Sequence, residues 1–274
     1  MRKLLSLAAL CSVLLACSSK DEPVETYDVK FSVNGWNAMS ETMSAPRKAP
    51  ATLNDGENDL TDLYLFDGST QLAHQTNDAT DFGTITVQLT TGDHHLHFVA
   101  TRSGGLSYDG GVLTATNLRS TFGKHYDLTV SGSSEEAVIL ERLSGKLIIT
   151  VQDVIPSSAQ TLQIQIGDYY AALNVTTFAG VRTGAFDQTV NISGKQGQSN
   201  VSWTLNILAP SADEYNTTYT ITARDGSNNI IGQAMGQVPL SRNTKTILRG
   251  NLFSGTKSFI SLSTEWNEDI EVAM

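Results

Sequence analysis

Apolar and polar residues alternate with a period of two in one short run after another along this chain. Tyr27, Val29, Phe31 and Val33 fall on one face, with Asp28, Lys30 and Ser32 between them. Ile85, Val87 and Leu89 repeat the pattern, followed by Leu162, Ile164 and Ile166, then Val201, Trp203, Leu205 and Ile207, then Tyr219 and Ile221. Successive side chains of a strand point to opposite faces, so this pattern predicts strands with one buried face and one wet face. Such strands belong to antiparallel sheets rather than to parallel sheets covered on both sides. Turn residues separate the runs: Asp67-Gly68, Thr91-Gly92-Asp93, Asp109-Gly110-Gly111 and Asp225-Gly226-Ser227-Asn228 all tolerate positive φ. The expected fold is therefore all-β, built as antiparallel β-sandwiches. The segment 116–125 lacks the alternation and is read as a short capped helix.

The first sixteen residues read as a secretory signal. Arg2 and Lys3 are followed by an apolar stretch from Leu4 to Leu15, too short to span a bilayer as a helix. Leu14-Leu15-Ala16-Cys17 matches the bacterial lipobox, which predicts cleavage after residue 16 and a diacylglyceryl group on Cys17. Both cysteines, Cys11 and Cys17, lie in or at the end of this signal, leaving the body no thiol for a disulfide, a zinc cluster or a nucleophile. The expected location is therefore the outer membrane, lipid-anchored. Lys20-Asp21-Glu22, just after Cys17, is similar to the surface-export signals of some lipoproteins and favours display on the cell surface. The net charge of −10, with no basic cluster interleaved with aromatics, argues against nucleic acid as a partner.

A polar stretch, Ser131-Gly132-Ser133-Ser134-Glu135-Glu136, suggests a boundary. It divides the chain into an N-terminal sandwich over 17–136 and a C-terminal one over 137–274, each of about seven strands. Residues 34–59, rich in Ser, Ala, Thr and Pro, read as a long exposed loop.

Catalytic constellations are not evident: there is no Gly-x-Ser-x-Gly elbow, His-Glu-x-x-His helix or phosphate-cradling glycine loop. In His94-His95-Leu96-His97, a strand would put His95 and His97 on one face and Leu96 and Phe98 on the other. Two histidines could in principle share a metal, but with no further ligand assignable a solvated strand face is the preferred reading. The acidic stretch from Asp55 to Asp59 lacks the order of a calcium loop and reads as a solvated turn. No metal or cofactor is expected. Trp203, in phase with Leu205, and Trp266, in phase with Ile260 and Leu262, read as core. Trp36, in the polar loop, is the one candidate for an exposed aromatic.

Several segments taken together resemble the fimbrillin and fimbrial-anchor lipoproteins of type V pili. They are the first strand Tyr27 to Val33, the loop arginine Arg47, Leu63-Tyr64-Leu65-Phe66-Asp67-Gly68 and Leu96-His97-Phe98-Val99-Ala100. In the second half they are Leu140-Glu141-Arg142-Leu143-Ser144-Gly145-Lys146-Leu147, Leu240-Ser241-Arg242-Asn243 before Ile247 and Leu248, and the ending Ile260, Leu262, Glu265-Trp266. The resemblance implies two tandem transthyretin-like sandwiches in a non-catalytic pilus subunit or anchor involved in cell adhesion. It also implies removal of the first strand by an arginine-specific protease, here at Arg47, and refilling of the groove by a strand from another fimbrial subunit. Tyr27, Val29, Phe31 and Val33 would be the plugs of that exchangeable strand. Without cleavage the chain stays tethered through Cys17, as an anchor would. The rival reading is a surface lipoprotein that binds glycan for nutrient uptake, which needs an exposed aromatic such as Trp36.

Overall fold

The computed structural model describes residues 24–34, 53, 58–211, 213–255 and 259–265. Its first half holds β1 (Thr26–Asn34), β2 (Asp62–Asp67), β3 (Thr70–Thr76), β4 (Thr84–Thr90), β5 (Gly92–Thr101), β6 (Gly104–Asp109), β7 (Val112–Asn117), β8 (Thr121–Val130), β9 (Ser134–Ile139) and the short β10 (Glu141–Arg142). The second holds β11 (Ser144–Val151), β12 (Ala159–Asn174), β13 (Gly180–Asn191), β14 (Val201–Leu208), β15 (Tyr215–Asp225), β16 (Ile230–Leu240), β17 (Thr244–Gly250) and β18 (Phe259–Glu265).

These strands form two sandwiches of one topology. In the first, sheet β4-β1-β9 faces sheet β10-β8-β5-β2-β3. Val29, Phe31, Val33, Ile85 and Leu89 from one sheet meet Leu63, Leu65, Leu96, Phe98 and Phe122 from the other. In the second, sheet β14-β11-β17-β18 faces a sheet in which β16, β15, β12 and β13 lie side by side. Leu147, Ile149, Val151, Leu205, Ile207 and Leu248 there pack against Leu162, Ile164, Ile166, Ile221, Ala234 and Val238. Strand for strand, β1, β4 and β9 correspond to β11, β14 and β17, and β3-β2-β5-β8 corresponds to β13-β12-β15-β16. The pairing is antiparallel throughout except at β1–β9 and β11–β17, which are parallel. That exception has a topological cause: the first and last strands of each seven-strand unit lie side by side in one sheet.

One element leaves its half of the chain. The hairpin β6–β7 follows β5, but β7 pairs with the far end of β12, Thr114 opposite Ala172, and so extends a sheet of the second sandwich. Its two-residue turn uses Gly110 (φ +53) and Gly111 (φ +85), the conformation favoured in tight hairpins and costly for other residues. The crossing creates a third core at the junction, where Tyr64, Phe66 and Val99 meet Leu113, Ala115, Leu143, Leu173, Phe178 and Leu208.

The junction overturns one expectation. Residues 116–125 are not a helix: they contain the end of β7 and the start of β8, which pairs with β5 and, at Phe122 and Gly123, with β10. The alternation is missing there because Thr121, Phe122 and Gly123 are all buried, with the second sandwich covering what would have been the wet face.

Candidate functional site

The first strand occupies the middle of its sheet. It pairs antiparallel with β4, Val29 opposite Val87 and Phe31 opposite Ile85. It pairs parallel with β9, Val29 opposite Ser134 and Val33 opposite Val138. Val29, Phe31 and Val33 are at most 4% exposed, and Tyr27 packs partly buried against the same core. The Phe31 ring meets Phe98 at 5.1 Å and Tyr126 at 6.1 Å, both edge to face. Burying each of these three side chains is worth about 1.5–3 kcal/mol. Asp28, Lys30 and Ser32 form the outer face, where Lys30 Nζ lies 3.2 Å from Glu135 Oε1 in an exposed ion pair of little energetic weight. Tyr126 donates its hydroxyl to Glu136 Oε2 on β9 at 2.6 Å; burial, then this carboxylate, push its pKa up to about 12.

No ladder joins β4 to β9 except through β1. Since adjacent strands lie about 4.8 Å apart, taking β1 away leaves a slot one strand wide. Its two walls carry unpaired N–H and C=O groups, and Phe98 and Tyr126 lie on the sheet behind it.

The last described strand is unusual in the opposite sense. Phe259 packs against the second core and meets Tyr219 edge to face at 6.3 Å. Ile260 is 77% exposed and Leu262 44% exposed, both on the outer face of β18. This corrects the sequence expectation that the Ile260–Leu262 phase faces a core. The exposed Ser263 reaches the buried Thr246 of β17 through a hydroxyl pair at 3.1 Å. Trp203 does pack, partly buried, against the second core.

The histidines divide into two kinds. His95 is exposed, with Nδ1 2.7 Å from Asp127 Oδ1, and that hydrogen bond raises its pKa. His94 donates Nδ1–H to Asp67 Oδ2 (2.6 Å) and Nε2–H to Thr90 O (2.9 Å), the pattern of an imidazolium. Burial opposes its charge, but these bonds and the carboxylates of Asp67 and Asp93 outweigh it, and its pKa is raised. His97 is only 7% exposed, which corrects its placement on a wet face, because Phe178 of the second sandwich lies over it. Its Nδ1 stands 2.8 Å from Nδ1 of His125, directly opposite on β8. Burial lowers the pKa of both, His97 further through its neighbour. Nothing in the sequence marks His125 and Phe178 as neighbours of His97, since they come from different parts of the chain.

Among the described residues, no group of three or more His, Cys, Asp or Glu side chains is placed to hold a metal ion. Asp59 is exposed in a short bridge, and Asp62 accepts hydrogen bonds from Thr61 Oγ1 at 2.8 Å and from His74 Nε2 at 2.9 Å. Cys17, Trp36, Arg47, Asp55 and Trp266 lie outside the described residues. No described helix is long and apolar enough to cross a membrane.

Fold and site together define an all-β double sandwich whose first strand is a central, core-filling element. Residues 57–274 match a family of unknown function, DUF6562, and the chain belongs to that family. A search of curated proteins gave no significant match. Among solved structures, a "putative adhesin" of Bacteroides ovatus ATCC 8483 is similar at a TM-score of 0.50 and 10% identity, over 86% of this chain and 88% of that one. The tip fimbrial protein Mfa3 of Porphyromonas gingivalis aligns at a TM-score of 0.45 and 13% identity, over 88% of this chain and 100% of that one. "Putative polysaccharide binding proteins" of Bacteroides thetaiotaomicron VPI-5482 align at 0.47 and 10%, over 88% and 96%. At 10% identity the likeness to the first of these concerns the fold alone.

Proposed function

We propose that this protein is a non-catalytic cell-surface adhesion component of the fimbrial kind, assembled by strand exchange at β1 and carried to the surface by lipid on Cys17. The observation that carries the proposal is the position of β1. It comes from the N-terminal end of the described chain, yet it is the central strand of its sheet and supplies three of the core's buried side chains. A strand attached at one end only can be cut away without breaking the rest of the body. The slot it leaves is filled by a strand with matching apolar alternation.

β18 has the features of such an incoming strand. It lies at a sheet edge near the other end of the chain and points Ile260 and Leu262 at water, a cost that insertion into a neighbour's slot would remove. Cleavage at Arg47 would release β1 together with the lipid; an uncut chain would remain tethered as an anchor.

The test is treatment of the mature protein with an arginine-specific protease. The expected result is a new N-terminus at Lys48 followed by SDS-resistant ladders. The Ile260→Asp, Leu262→Asp double variant should fold with stability within about 0.5 kcal/mol of the parent, because both side chains are exposed, yet form no ladder. Cleavage after Arg47 without any oligomer would refute strand exchange as the mode of assembly. Binding to a polysaccharide panel, lost on Trp36→Ala, would replace the adhesion-subunit reading with a glycan-binding one.

A further inference from the structure

The His97–His125 pair lies where the two sandwiches meet. His125 stacks on Phe178 with ring centroids 3.9 Å apart and planes 13° from parallel, while His97 meets the same ring edge to face at 6.2 Å. Phe178 belongs to the turn between β12 and β13 of the second sandwich and is buried in the junction core. Its backbone has φ +55, a left-handed conformation that bulky L residues rarely adopt. The turn is held in place from several sides. Phe178 N–H donates to Asn174 O (2.8 Å), and Asn174 Oδ1 accepts from the N–H groups of Thr176 (3.0 Å) and Thr177 (3.1 Å). Arg242, from the turn before β17, donates to Phe178 O. The fit is close: a Cβ on Gly123 of β8 would stand 2.7 Å from Leu143 Cδ1 and 2.9 Å from Phe178 Cζ. Any displacement of the histidine rings is therefore transmitted to the turn.

We propose that the His97–His125 pair is a proton-operated latch on the junction, closed while the two facing Nδ1 atoms hold one proton between them and opened when acid places a proton on each. Two imidazole nitrogens 2.8 Å apart form a hydrogen bond only if one of them carries hydrogen. With hydrogen on both, two N–H groups point at each other and the rings must separate. A first extra proton, on the Nε2 of the donor ring, leaves the bond intact; the second breaks it, so the pair titrates as a unit.

The surroundings set when this happens. Carboxylates of Asp67 on β2, Asp127 on β8 and Glu141 on β10 favour charge on the pair; Arg242 from the second sandwich, Lys124 on β8 and His95 on β5 oppose it. Asp67 and Asp127 are already engaged by His94 and His95, whose pKa values are raised. Falling pH therefore charges those two histidines first and uses up the two carboxylates. The latch pair takes its second proton only below the ordinary histidine range near 6.5. This mechanism is independent of strand exchange.

The test uses the mature chain with Cys17→Ser, its histidine rings followed by NMR and its backbone by hydrogen exchange corrected for intrinsic pH dependence. The expected result is one coupled titration of His97 and His125 below about pH 6.5, accompanied by an increase of about tenfold or more in exchange over residues 174–182. The His97→Phe, His125→Phe double variant should lack that step, while His95→Gln should keep it. Protection of 174–182 that stays constant while both rings titrate would overturn the proposal, without any variant being needed. So would an acid-dependent step that survives in the double variant.

Discussion

The two sandwiches share one strand order, yet differ in how the strand at the middle of the smaller sheet is supplied. In the first it is β1, the first described strand; in the second it is β11, which runs on from β10 and leads into β12. They differ also at the strand beside it. β18 lies along β17, whereas among the described residues nothing lies along the corresponding edge of β9. On the proposed reading, the same core chemistry gives a closed unit in one half and an openable one in the other. What separates them is chain connectivity, not the hydrophobicity of the strand.

Matched truncations would test this comparison with the largest expected effect. Phe31→Ala should destabilise the first sandwich by about 3–5 kcal/mol, and Ile149→Ala, its counterpart on β11, should destabilise the second by about 2–5 kcal/mol. Both side chains are fully buried. Hydrogen exchange should then show lost protection in β4, β8 and β9 for the first variant and in β12, β14 and β17 for the second. If either variant loosens both halves equally, the junction formed by β6–β7 makes the molecule one cooperative unit, and the contrast between a closed and an openable half fails.

A smaller effect isolates what closes the second sandwich. The Asp153 carboxylate accepts the backbone N–H groups of Leu252 (3.1 Å), Phe253 (2.7 Å) and Ser254 (2.7 Å), as well as the Ser254 hydroxyl (3.1 Å). It thereby fixes the connection that leads to β18. Asp153→Ala leaves those donors without their partner and should cost about 1–3 kcal/mol by urea unfolding. The loss of exchange protection should concentrate in β17 and β18. An equal loss in β1 and β4 would show that the carboxylate acts on the whole molecule rather than on one edge.

How much of this was legible in the sequence follows from where each side chain finds its partner. The β1 face was readable because Val29, Phe31 and Val33 alternate against residues that stay wet. The turn at Gly110-Gly111 was readable too, but not that its hairpin crosses to β12, since pairing of Thr114 with Ala172 leaves no local mark. Leu63-Tyr64-Leu65-Phe66 and Thr121-Phe122-Gly123 break the alternation because they are buried on both faces, and the second covering layer comes from distant residues. His97 was misplaced for the same reason. Ile260 and Leu262 misled in the other direction: their phase is that of a buried strand face, yet in this structure they are exposed.

The smallest expected effect compares neighbouring histidines on β5. His94 has its pKa raised, so its contribution to stability is fully present below about pH 6.5 and fades as pH rises through its folded value. For His97 and His125 the folded pKa values are lowered, so their contribution is present above about pH 6.5 and is lost as pH falls. The two terms oppose each other and flatten the pH dependence of global stability, even while the junction responds locally. His94→Gln removes only the first term. Urea unfolding should then show the variant falling further below the parent at pH 6 than at pH 8, and the parent's flatter profile tilting toward higher pH. An identical gap at both values would mean that the Asp67 contact holds His94 by hydrogen bonding alone, with no difference in proton uptake between folded and unfolded chains.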